Sequence, residues 1–160
     1  MKLSRWRALY WGTAALAVLA SQTVMAASRF DSLLGAWSGS GRSSFQDGQF
    51  EPIRCTAYYS GGGSRLSLAI RCRSASTEIE IRGQLTTRGD SISGTWEERT
   101  YNASGDATGR FTGNRMTLSV KGGSFSGSMS VLLASGRQVV TIATEGIPLK
   151  SVSVTLVRSG

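Results

Sequence analysis

Few residues in this chain of 160 could do chemistry, and their spacing restricts what that chemistry could be. There is no histidine, which removes both the commonest acid–base group and the commonest metal ligand. The serines therefore lack the usual base that turns a hydroxyl into a nucleophile. Glu97 and Glu98 are adjacent. On a strand, adjacent side chains point to opposite faces, so these two carboxylates cannot share one substrate. No set of Cys, Asp and Glu has a familiar metal-ligand spacing. The expectation is a protein that is not an enzyme and uses neither cofactor nor metal.

Cys55 and Cys72 are the only cysteines, with 16 residues between them and Ser60-Gly61-Gly62-Gly63-Ser64 near the midpoint. That arrangement reads as a hairpin whose two legs are joined by a structural disulfide. A redox pair would need C-x-x-C spacing, and thiolate metal binding would need further ligands. Closing a loop of this length contributes on the order of 3 kcal/mol in the chain-entropy picture.

The disulfide agrees with the start of the chain. Residues 1–26 have the pattern of a secretory signal peptide. Lys2, Arg5 and Arg7 precede an apolar run from Leu9 to Ala20, and Val24-Met25-Ala26 places small residues at the cleavage position. The apolar run is well short of the ~20 residues a spanning helix needs, so no membrane span is expected after cleavage. The expected protein is thus a single domain, residues 27–160, in the periplasm or secreted. That domain carries 15 basic and 10 acidic residues, net +5, with 13 of the 15 being Arg. Such a balance reads as ordinary solubility, with contact to an anionic surface as the second reading. No block of five or more Lys/Arg occurs, so nucleic acid is not an expected partner.

Period-two alternation recurs through the rest of the chain. Leu66, Leu68, Ile70 and Cys72 share one face, and Ile79, Ile81, Gly83 and Leu85 another. Met116, Leu118 and Val120 repeat the pattern, as do Phe125, Met129, Val131 and Leu133, then Val152, Val154 and Leu156. Breaks are expected at Gly61–Gly63, Gly89-Asp90, Gly105-Asp106, Gly113-Asn114, Gly122-Gly123, Gly136 and Gly146. No helical period appears beyond the signal, apart from room for one turn between Ser28 and Leu34. The fold class is therefore all-β, a single antiparallel up-and-down (meander) β-barrel of about 8–10 strands with one disulfide. An apolar inside and polar outside oppose the membrane-barrel pattern.

Setting Cys55 opposite Cys72 predicts a register. Ala57 then faces Ile70 and Tyr59 faces Leu68, all inward, while Arg54 meets Arg73 outside. The next hairpin brings Glu78 and Glu80 to Arg73 and Arg71. Gly83, Gly94, Gly109 and Gly127 fall on the inward face, where they are expected to leave free volume.

Gly35-Ala36-Trp37 on the first strand and Arg158 on the last resemble the signature of the calycin barrels. These include lipocalins, fatty-acid-binding proteins, avidins and bacterial metalloprotease inhibitors. The resemblance implies that Trp37 packs at one closed end with Arg158 stacked across it, a cation–π contact. It also implies two roles for such a barrel. One is binding a small hydrophobic ligand, with Trp96, Phe111, Phe125, Met129, Ile81 and Tyr59 as the candidate cavity wall. The other is an envelope or secreted protein-interaction module, such as a hydrolase or protease inhibitor, with a packed interior. The residues leave open whether the interior is a cavity or a filled core.

Overall fold

The computed structural model describes residues 30–159, so the signal-peptide segment lies outside the described residues. Ten strands account for nearly all of it. They are β1 (Gly35–Phe45), β2 (Phe50–Gly62), β3 (Arg65–Arg73), β4 (Glu78–Arg88), β5 (Ser91–Glu98), β6 (Ala103–Thr112), β7 (Arg115–Gly122), β8 (Phe125–Ala134), β9 (Arg137–Glu145) and β10 (Leu149–Arg158). Each runs antiparallel to the next, and β1 pairs with β10, so the meander closes on itself. Closure removes the free edges that an open sheet of this width would expose.

Alternation decides which side of each strand faces in. Along β3, Leu66, Leu68, Ile70 and Cys72 are buried, while Arg71 and Arg73 are exposed. The predicted register holds across three strands. Cys55, Ala57 and Tyr59 stand opposite Cys72, Ile70 and Leu68, and Arg73 and Arg71 stand opposite Glu78 and Glu80. The disulfide Cys55–Cys72 joins β2 to β3. Outside it, Arg73 reaches Glu78 at 2.9 Å and Arg71 reaches Glu80 at 3.0 Å. Arg82 and Arg99 also converge on Glu80. Hydrogen bonds first from Arg82 and then from Arg71 hold the Glu80 carboxyl below the usual carboxylate range.

One break falls elsewhere than expected. Gly105-Asp106 lies inside β6, and the chain reverses at residues 99–102 instead. Gly105 serves a bend: a Cβ there would lie 2.0 Å from the Lys121 carbonyl oxygen of β7. The short reversals use the expected chemistry. In the 135–136 turn both Ser135 and Gly136 have positive φ, at 50° and 74°, the conformation that matches strand twist in a two-residue hairpin.

The barrel has two unlike ends. One carries the two-residue turns 63–64, 89–90, 113–114 and 135–136, and the other carries the loops 46–49, 74–77, 99–102, 123–124 and 146–148. The first end is plugged. A turn at residues 30–33 buries Phe30 and Leu33 completely, with Phe30 edge-on to Phe111 at 5.9 Å between ring centroids. Trp37 donates its indole N–H to the Leu33 carbonyl at 2.8 Å. Arg158 lies over the Trp37 ring, 4.5 Å from its centroid, and donates to the carbonyls of Leu34 and Ser32. The guanidinium thus binds the chain that leads into β1 as well as the ring beneath it.

Candidate ligand-binding site

The half of the barrel nearer the longer loops contains a cavity of about 60 Å³. That is roughly four to six times the minimum for one water, room for a short or slim hydrocarbon group. Its wall is almost wholly apolar. Ile81 of β4, Trp96 of β5, Phe125 and Met129 of β8 and Ile142 of β9 are among the side chains that line it.

These side chains converge because each sits on the inward face of its strand. Trp96 stands opposite glycine on both sides, Gly83 on β4 and Gly105 on β6, so the indole has space to lie across its neighbours. Phe125 packs on it with centroids 5.1 Å apart, tilted by 40°. The four inward glycines divide into two kinds. Gly83 and Gly127 line the cavity. Gly94 and Gly109 instead mark close approaches of backbone, where a Cβ would lie 2.0 Å from the Gln84 carbonyl and 1.9 Å from that of Thr117. They bend their strands and leave no free volume, contrary to the expectation.

Two of the six candidate wall residues lie elsewhere. Tyr59 and Phe111 face inward but belong to the plugged end, Phe111 against Phe30 and Tyr59 opposite Gly35 and Leu68. Neither is part of the cavity lining. The Tyr59 hydroxyl is buried without a hydrogen-bond partner, and burial pushes its ionisation well above the ordinary value of 10.

The sequence sets Glu97 and Glu98 on opposite faces of a strand, and the structure agrees, but the sequence reading gives Glu98 no place at the cavity. Glu98 points inward beside the cavity and is only 5% exposed, while its neighbour Glu97 faces solvent. Its carboxylate accepts the Glu80 N–H at 2.9 Å and the Tyr101 N–H at 2.6 Å. Tyr101 in turn bonds Thr77 through its hydroxyl at 3.1 Å, tying loop 99–102 to loop 74–77. Glu98 therefore holds the mouth in shape. The signal was its place in the inward series Ile92, Gly94, Trp96, Glu98.

No protein-family model matches the chain, and no curated protein matches it in sequence. Solved structures do match it in fold. Rv2717c from M. tuberculosis aligns with a TM-score of 0.66 at 15% identity, covering 82% of this chain and 95% of that one. The S-type phycobiliprotein lyase CPES from Guillardia theta aligns with a TM-score of 0.57 at 12% identity, covering 82% of this chain and 90% of its own. At such identities the likeness is one of fold, a closed antiparallel barrel.

Proposed function

We propose that this protein is an exported, non-enzymatic barrel that binds a small hydrophobic molecule in the cavity beside Trp96. The cavity carries the reading: an apolar, partly glycine-walled space is kept inside a barrel whose other end is plugged by its own side chains. Export is supported by the signal-like residues 1–26 and agrees with the disulfide. One structural neighbour is named a lyase, so a barrel of this shape also accommodates chemistry. What favours binding here is that Glu98, the buried carboxylate nearest the cavity, uses both oxygens on backbone N–H groups.

Native mass spectrometry of protein purified gently from its own host tests the reading. The wild type is expected to carry extra mass that is lost on denaturation. Ala107, buried on the cavity wall, provides the control. The Ala107→Phe variant, still folded by circular dichroism, is expected to be bare. Extra mass of equal amount in both would place the ligand elsewhere, and two bare proteins would refute the reading. The second result would favour a protein-interaction module. In its support, Tyr58, Val139 and Val157 are exposed on the outer wall near the plugged end.

A further inference from the structure

Charge is unevenly placed along this barrel. The end with the two-residue turns carries six arginines, Arg65, Arg88, Arg110, Arg115, Arg137 and Arg158, against two acids, Asp31 and Asp90. The rest of the described barrel holds eight basic and eight acidic residues. All the net charge of the described residues therefore sits at the plugged end. Four of the arginines stand directly beside a turn: Arg65 follows 63–64, Arg88 precedes 89–90, Arg115 follows 113–114 and Arg137 follows 135–136. The turns themselves are Gly63-Ser64, Gly89-Asp90, Gly113-Asn114 and Ser135-Gly136, so long guanidinium side chains flank short residues.

Pairing differs between the ends as well. Toward the loops, Arg71, Arg73, Arg82 and Arg99 are ion-paired to Glu78 or Glu80. Among the described residues, Arg65, Arg88, Arg110, Arg115 and Arg137 form no ion pair, and all five are exposed. Apolar side chains interleave with them on one side. Leu132 stands opposite Arg115 and Val139, and Val157 stands opposite Arg137. Val139 and Val157 are exposed.

We infer that the plugged end is a docking face for a membrane surface containing anionic phospholipid, with the mouth of the barrel turned away from the bilayer. Guanidinium groups suit phosphate because they stay charged and offer paired N–H donors to its oxygens. Exposed apolar side chains beside such cations are a contact feature in their own right. The arrangement favours a bilayer over an acidic protein. The arginines follow the rim from β3 round to β10, so they encircle one end, as contact with a plane requires, instead of gathering on one side. The inference needs nothing in the cavity and stands apart from the ligand reading.

Protein in the form that accumulates in its host is mixed with phosphatidylcholine vesicles, with and without phosphatidylglycerol, at physiological ionic strength. Binding is read by co-sedimentation. Wild type is expected to bind only the vesicles that contain phosphatidylglycerol, and to be released by high salt. Arg88→Gln combined with Arg137→Gln is expected to weaken binding roughly 20- to 30-fold, about 5-fold for each cation removed. Arg54→Gln combined with Lys150→Gln removes the same charge from exposed positions away from that end, and is expected to change binding by less than about 2-fold. Circular dichroism checks that both variants are folded. Amide hydrogen exchange with vesicles present is expected to slow at the four turns and to stay unchanged in loops 74–77 and 99–102. Equal weakening by the two double variants would mean attraction to net charge without a face, and would overturn the inference. Slowed exchange at the loops in place of the turns would overturn the orientation. Wild type that ignores phosphatidylglycerol vesicles would overturn the membrane and leave the arginine end to an acidic protein.

Discussion

Tyr59 and Trp96 are both large inward side chains with an unsatisfied polar atom, yet they sit in unlike surroundings. Trp96 adjoins open space, whereas Tyr59 is 1% exposed in the plugged half among close-packed neighbours. A buried hydroxyl without a partner lowers stability, since it gave up water and gained nothing. Tyr59→Phe is accordingly expected to raise unfolding stability by about 1 kcal/mol, read from chemical denaturation near neutral pH. The pH dependence follows from the same burial. The native hydroxyl stays protonated well above the ordinary value of 10, while the unfolded one ionises there. The unfolded chain then binds fewer protons, so wild-type stability declines as pH rises past about 10. In Tyr59→Phe that part of the decline is expected to vanish. A variant less stable than wild type at neutral pH would mean that the hydroxyl has a partner after all.

Strand shape depends on glycines that a side chain would drive into neighbouring backbone. Gly94→Ala places a methyl 2.0 Å from the Gln84 carbonyl oxygen, and β4 or β5 must shift to admit it. The expected cost is about 1–3 kcal/mol or more of unfolding free energy, read from chemical denaturation. Gly62→Ala, which meets nothing within 4 Å, is expected to be near neutral and serves as the control. Equal effects would refute the bend. These glycines also mark where the sequence could be read and where it could not. Two cysteines on neighbouring strands pinned one cross-strand pair, and alternation then gave the register of β2, β3 and β4 residue by residue. Alternation reports which face a residue takes but not its height along the barrel, so Tyr59 and Phe111 were assigned to the wall of a cavity they do not reach. For the same reason Gly105 looked like a turn: glycine marks a turn and a tight bend alike, and only the β6–β7 approach distinguishes them. The inward face of Glu98 is legible from alternation, but its role is not, because that rests on the N–H groups of Glu80 and Tyr101, which no residue pattern displays.

At the scale of the whole barrel, one end is sealed by the residues that precede β1. Phe30 and Leu33 are fully buried there, and Arg158 and Trp37 hold the segment by three hydrogen bonds to its carbonyls. Phe30→Ala is expected to cost roughly 3–5 kcal/mol, the usual range for a buried Phe, by thermal or chemical unfolding. Ligand affinity at the far end is expected to hold, since the cavity lining does not include Phe30. Loss of binding in a variant that remains folded would show that the two halves are coupled.

Closure also has a consequence in time. The seam joins Trp37 to Arg158 and Gly41 to Val154, the first strand to the last. As the chain folds from its first strand onward, every hairpin from β1 to β9 can form beside its neighbour, but β1 has no second partner until β10 has joined. Until then the growing sheet presents two unpaired edges, the state in which strands add to other chains. The final contact is also the most distant in sequence, so its loop-closure cost falls on the last step of folding. The strand that opens the barrel is therefore among the last to be secured, and the vulnerable period of this molecule lies before its final ten-residue strand arrives.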